Sequence, residues 1–280
     1  MSIELRGLAG KNVLITGGAK GQGLNHAKAF AEAGADLALL DITEPIPQVY
    51  PLADAQMLDD AVIEVEKRGS RAIGLPCDVR DEARVQAAVS KALEFFGGRI
   101  DILVNNAGMA AMDTIHGMRG DVQSALIDTM VKGPMYVAKY VVPNMIGRRA
   151  GKIINISSSV TGSGHAMLSH YVAAKHAING LTSSWANELG EFNINVNAIA
   201  PGTVRPGAGN GSGMVLGMAD TLGTTGEQAY EMLSSQLNMP GDKWRIEMSH
   251  VTDAVLFLAS DNADQITGHV LRVEAGQNAR

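Results

Sequence analysis

A single cysteine, Cys77, is all the thiol that 280 residues contain, so no disulfide can close within the chain and an apolar core must hold the fold. Its place at the end of an apolar run predicts a buried, inert thiol. No apolar run reaches the roughly 18 residues of a membrane span. The first residues, Met1-Ser2-Ile3-Glu4, carry neither a basic nor an apolar leader segment. A cytoplasmic protein with no membrane partner is therefore expected. Runs of Lys or Arg are missing too. With a net charge of −6 and a pI near 5.6, the chain offers no electrostatic groove for nucleic acid and no attraction to an anionic bilayer. Linkers and low-complexity blocks are also lacking, so one domain spanning 1–280 is expected, and 46% hydrophobic residues give it ample core. Small molecules in solution fit this composition as ligands.

What is present is a repeat of short apolar runs and amphipathic segments. Lys11 to Thr16 meets a Gly-rich turn and then a helical pattern from Gln22 to Ala33. The alternation recurs with runs at 36–41, 71–76, 101–104, 152–156, 193–199 and 268–273, and helical patterns near 54–68, 81–96, 120–146 and 252–259. About seven strands alternating with helices predict an α/β, Rossmann-like, doubly wound parallel sheet covered on both faces. Between the sixth run and the last helix the chain reads as a long irregular stretch.

The turn Thr16-Gly-Gly-Ala-Lys-Gly-Gln-Gly23 sets glycines at 17, 21 and 23. A backbone without Cβ atoms can approach a pyrophosphate and present N–H groups at a positive helix N-terminus. Asp41 ends the second strand, 18 residues beyond Gly23, where a carboxylate accepts hydrogen bonds from an adenosine ribose and repels a 2′-phosphate. Lys20 pulls the other way, and the balance favours NAD over NADP. Asp78 and Asn105-Asn106-Ala107-Gly108 follow the third and fourth strands, at the carboxyl ends where ligands bind in such sheets. Tyr171 and Lys175 stand four apart on an Ala-rich helix, which puts a phenol and an ammonium on one face. A fixed cation beside a phenol lowers its pKa, so the pair can move protons.

In order, TGGAKGQG, CDV, NNAG, SS, YVAAK and PG resemble the short-chain dehydrogenase/reductase family over almost the full chain. The resemblance implies that Gly17, Gly21 and Gly23 hold cofactor phosphates, Asp41 the adenosine ribose, Asp78 and Val79 the adenine, and Asn105 with Ala107 the nearby ribose. Gln22, Gly108, Pro201, Gly202 and Thr203 complete the implied cofactor site. Tyr171 becomes the acid/base, and Lys175 lowers its pKa and holds the nicotinamide ribose. The serine of the family falls among Ser157, Ser158 and Ser159. Ser158, thirteen residues before Tyr171, is the choice, with Ser159 as second candidate because Gly162 lies one residue further on than usual. A homotetramer built on the long fourth and fifth helices is also implied.

Two departures from the family pattern stand out. Met130 occupies the position of a usual asparagine, which suggests slower proton exchange, a substitute polar group or weakened activity. Pro206 replaces a usual threonine, leaving Thr203 and backbone groups to meet the nicotinamide amide. Two inserts accompany them. Asp41 to Leu52, with three prolines, resembles the extension of carveol-dehydrogenase-like members, which bind NAD tightly; it reads equally as a stiff surface loop. Thr203 to about Ser249 lies where the family places its substrate lid. It carries Met214, Met218, Met232, Met239 and Met248, which suit an apolar substrate or a core about equally, with Gly207, Gly209, Gly211 and Gly213 as hinges. His165, His170 and His176 read as solvent or packing residues rather than metal ligands, and no metal is expected. The expected reaction is NAD-dependent oxidation of a secondary, cyclic, hydrophobic alcohol to a ketone. The alternatives are an NADP-dependent carbonyl reductase and a nucleotide-binding scaffold or sensor with weakened catalysis.

Overall fold

The computed structural model describes residues 5–47, 49–205, 213–234 and 245–279. Seven parallel strands lie in the order β3-β2-β1-β4-β5-β6-β7. They are β1 (Asn12–Thr16), β2 (Asp36–Asp41), β3 (Ala72–Pro76), β4 (Ile102–Asn105), β5 (Gly151–Ile156), β6 (Ile194–Pro201) and β7 (Val270–Val273). Helices α1 (Gly21–Glu32), α2 (Ala55–Glu66) and α3 (Glu82–Phe95) connect the first four strands. Helix α4 (Gly120–Ile127) runs through a π-helical turn at Asp128–Lys132 into α5 (Gly133–Arg148), and α6 (Ser169–Leu189) follows β5. Between β6 and β7 lie α7 (Gly213–Leu222), α8 (Gly226–Ser234) and α9 (Met248–Ala259). The stretch that reads as irregular therefore contains two helices, α7 and α8. Glycines at 213, 217, 223 and 226 obscure their periodicity in the sequence.

Side chains alternate across the strands, and the two faces bury different layers. Val13, Ile15, Leu37 and Leu39 pack with α1, α2 and α9, whereas Leu14, Ala38, Leu40 and Leu103 pack with α3 and α5. Helix starts follow their caps. Asp54 accepts from the Met57 N–H, and Asp81 from those of Ala83 and Arg84. Helix α1 ends at Gly34, whose φ of +82° suits a residue without Cβ, with its N–H on the Ala31 carbonyl. The strand order reverses between β1 and β4, and the crevice opens there, at the carboxyl ends of the strands. A third apolar cluster, with Ile46, Met109, Leu126, Met130, Leu168, Tyr171 and Met218, sits over that end. Among the described residues no helix is long and apolar enough to cross a membrane.

Candidate active site

β1 delivers Thr16 to the Gly-rich turn, where its Oγ1 accepts from the backbone N–H groups of Asn106 and Ala107, each at 3.0 Å. Asn106 returns its amide to the carbonyls of Thr16 and Gly17 at 2.9 and 3.0 Å. A Cβ on Gly23 would stand 1.9 Å from the Gly17 carbonyl oxygen, so that position requires glycine. Gly21, at φ +56°, has nothing within 4 Å of where its Cβ would lie, leaving room before the helix for a ligand. The N-terminus of α1 has no side-chain cap and no acidic residue in its first turn, so its positive end remains for an anion. Nearby, Gln22 Oε1 is buried without a hydrogen-bond partner among the described residues.

The Asp41 carboxylate accepts from the Ala19 and Ile42 N–H groups, each at 2.8 Å, and so ties β2 to the Gly-rich turn. Burial pushes its pKa up to about 6, against the pull of both hydrogen bonds and of Lys20. Lys20 itself donates to the Pro51 carbonyl at 3.1 Å. Asp78 holds Arg80 through both carboxylate oxygens. Partial burial works against its charge, but Arg80 outweighs that and keeps the carboxyl below its usual range. Cys77 is buried as expected, and burial pushes its thiol up to about 12.

Asn105 departs from expectation. Its side chain turns into the sheet and donates to Asn155 Oδ1 at 2.9 Å; Asn155 in turn donates to Thr182 Oγ1 on α6. Asn105 is the last residue of β4, and of the Asn105-Asn106 pair it is Asn106, just past the strand, that lines the crevice. No signal in the sequence distinguishes the two.

Tyr171 and Lys175, one turn apart on α6, are both buried, at 4% and 5% exposure. The lysine Nζ lies 5.6 Å from the centre of the phenol ring and donates to the Ile156 carbonyl at 2.8 Å. Ser158 stands close enough to Tyr171 for its hydroxyl to favour the phenolate. Burial pushes Tyr171 up to about 12, Ser158 pulling back only in part, and pushes Lys175 down to about 8. The lysine was expected to lower the phenol; desolvation by burial wins instead. Ser159 points elsewhere, donating to Gln277 Oε1 at 3.1 Å while its carbonyl accepts from Asn278. Ser157 donates to Asn179 Oδ1 at 2.6 Å. Of the three serines, only Ser158 is turned to the phenol.

The family described as short chain dehydrogenase matches residues 11–213. The (−)-trans-carveol dehydrogenase of Rhodococcus erythropolis is 36% identical over 270 residues, which cover 95% of this chain and 97% of that one. The 2-dehydro-3-deoxy-D-gluconate 5-dehydrogenase of Formosa agariphila is 33% identical, with 99% and 96% covered. Among solved structures, carveol dehydrogenase from Mycobacterium avium in complex with NAD superposes with a TM-score of 0.89 at 32% identity, over 99% of this chain and all of that one. The chain belongs to the short-chain dehydrogenase family.

In this short-chain dehydrogenase one cleft of about 290 Å³ gathers the expected residues other than Asn105: Gly17, Gly21, Gln22, Gly23, Asp41, Asp78, Val79, Ala107, Gly108, Ser158, Tyr171, Lys175, Pro201, Gly202 and Thr203. It also takes in Ile46, Tyr50 and Leu52 from the insert after β2, residues to which the sequence assigned no role of their own. Met218 and Met232 of the 203–249 insert border it, whereas Met248, the first residue of α9, packs on the core. The Met214 side chain, Met239, Pro206 and the glycines at 207, 209 and 211 lie outside the described residues. Met130 sits in the π turn, 1% exposed, and Thr129 Oγ1 beside it is buried without a hydrogen-bond partner among the described residues. The three histidines do not converge. His165 borders the cleft, His170 is buried, and His176 contacts the Val172 carbonyl on its own helix. Among the described residues no group of three or more His, Cys, Asp or Glu is placed to hold a metal.

Proposed function

We propose that this dehydrogenase oxidises a secondary, cyclic, hydrophobic alcohol of the monoterpenol kind to a ketone, with NAD as cofactor. The observation that carries the reading is the Ser158–Tyr171–Lys175 set opening into a chamber walled by Ile46, Leu52, Met109, Met130, Leu168 and Met218. Such a wall suits a ring of carbon better than a sugar acid, which favours the carveol relatives over the gluconate one as guides to the substrate. The open space at Gly21, the uncapped start of α1 and the Asp41 carboxylate fit a dinucleotide lacking a 2′-phosphate. Lys20, the residue that favoured NADP, spends a hydrogen bond on the Pro51 carbonyl, and its charge is offset by the neighbouring Asp41 carboxylate.

NAD, when bound, supplies the acceptor for a hydride. The protein does the rest. Ser158 donates a hydrogen bond to the alcohol oxygen and fixes its direction. Tyr171, as phenolate, takes the hydroxyl proton. Lys175 stabilises that phenolate electrostatically and can hold a ribose hydroxyl. The apolar chamber excludes water from the reacting oxygen. We place the enzyme in the cytoplasm, as a homotetramer built on α5 and α6.

A second reading, a nucleotide-binding scaffold or sensor, is favoured by Met130, a buried thioether where the family commonly has an asparagine. One assay decides between them. Absorbance of reduced nicotinamide, followed with carveol, cyclohexanol and 2-octanol, is expected to rise with the cyclic alcohols. Tyr171→Phe is expected to lower kcat at least about 100-fold while leaving the NAD dissociation constant nearly unchanged. NAD binding with no turnover of any alcohol would favour the scaffold.

A further inference from the structure

Tyr50 belongs to the insert between β2 and α2, which its prolines leave readable as a surface loop. The fold anchors that insert on both sides of the residue. Ile46 is buried and accepts the Val49 N–H at 3.3 Å, and the Pro51 carbonyl takes the Lys20 ammonium. Above, α7 rides directly on the aromatic ring: a Cβ on Gly217 would stand 2.5 Å from Tyr50 Cδ1. The ring packs on the cluster that holds Tyr171 and Met218. Its oxygen lies within reach of the Ala110 N–H, and burial pushes the phenol far above its ordinary range, with Tyr171 close enough to add to the rise.

Tyr50 borders two spaces. On one side is the catalytic cleft; on the other is a second cavity of about 350 Å³ between the insert, α7 and the loop after β4. We propose that Tyr50 is the wall of the substrate chamber: its ring face contacts the substrate opposite Tyr171, limits it to a compact single ring, and closes the chamber off from the second cavity. This rests on the alcohol-oxidation reading. An aromatic ring suits the role because it gives a flat, rigid apolar face at little entropic cost. Gly217 sets its position, since any side chain there would drive the ring into one of the two cavities.

The test is calorimetric titration of the NAD-loaded protein with two ketones, carvone with one ring and camphor with two, alongside turnover of carveol. Wild type is expected to bind carvone more tightly than camphor, and Tyr50→Phe to keep carvone within about threefold. Tyr50→Ala is expected to weaken carvone about tenfold or more, in the range of a truncated aromatic anchor, and to erase or reverse the preference as the two cavities join. KM for carveol then rises while kcat at saturation stays within about threefold. Gly217→Ala removes no side chain of the cleft, yet by displacing the Tyr50 ring it too is expected to shift the preference, which keeps the test alive if Tyr50→Ala does not fold. Unchanged carvone affinity and preference in the variants, or a wild type that binds neither ketone, overturns the wall. The expected binding pattern without any turnover supports the wall and overturns the alcohol-oxidation reading instead.

Discussion

Lys175 directs its ammonium to the Ile156 carbonyl, 2.8 Å away, while standing 5.6 Å from the centre of the Tyr171 ring. The cation is beside the phenol but its hydrogen bond is committed to the backbone, and burial holds the phenol near 12. Without cofactor, Tyr171 is therefore expected to stay protonated through neutral pH. Tyrosinate difference spectra of wild type against Tyr171→Phe should show no extra phenolate until pH nears 12. Adding NAD should bring the onset down, because a positive nicotinamide in the same cleft favours the phenolate. An onset near the ordinary value of about 10 in the cofactor-free protein would contradict the dominance of burial.

Ser158 and Ser159 separate by what they face. Loss of a fixed donor to the reacting oxygen lowers kcat by about 100-fold or more, so Ser158→Ala is expected to do that with little change in NAD affinity. Ser159→Ala should leave kcat within about threefold. It removes the hydrogen bond to Gln277, which contributes about 1 kcal/mol, and its effect belongs in the thermal midpoint. The opposite ranking in steady-state kinetics would move the catalytic role to Ser159.

The seven strands and their helices were legible because strands buried on both faces are short, nearly continuous apolar runs, and the helices between them are amphipathic. The 36–41 run, read from Asp36 to Asp41, is β2 residue for residue. The glycines were legible for a physical reason as well, since a Cβ at Gly23 collides with the turn itself. What stayed hidden depends on contacts between distant segments. Nothing local reveals that Gln277 draws Ser159 away from the phenol, that Asn105 reaches across to β5, or that Tyr50 lies beneath Gly217. The methionines of the 203–249 insert were ambiguous for the same cause. Met218 at the cleft and Met248 on the core differ in what packs on them, and no spacing in the sequence encodes that.

Asp41 does two tasks with one carboxylate. It accepts from the Ala19 and Ile42 N–H groups, holding the turn, and in the proposed reading its charge repels a 2′-phosphate. Asp41→Ala is expected to weaken NAD roughly tenfold to 100-fold and to narrow the NAD-to-NADP ratio of kcat/KM. In wild type the discrimination should fade with acid: with a pKa near 6, the carboxyl loses its charge as pH drops through 6 and the repulsion goes with it. A cofactor ratio that is flat between pH 8 and pH 5 would count against this role.

His26 gives a prediction about stability. It lies on α1 against α9, 0% exposed, with Nδ1 2.7 Å from Thr252 Oγ1 and Nε2 without a partner among the described residues. Thr252 Oγ1 also accepts from Asn25 at 2.7 Å, so the imidazole has one polar neighbour that is already shared. Burial lowers the pKa to about 3, against about 6.5 for an exposed histidine. The folded state thus binds fewer protons than the unfolded state. The stability that the neutral ring gives is complete above pH 6.5 and is lost as pH falls toward 3. A single group contributes a slope of about 1.4 kcal/mol per pH unit in that window, so wild type should lose roughly 2 kcal/mol between pH 6.5 and pH 5 through His26. His26→Leu cannot take up this proton and should keep that share, whatever it loses uniformly from altered packing against Thr252. Urea unfolding of both proteins at pH 7 and pH 5 checks it, and equal acid losses in the two would show that the ring is not held neutral.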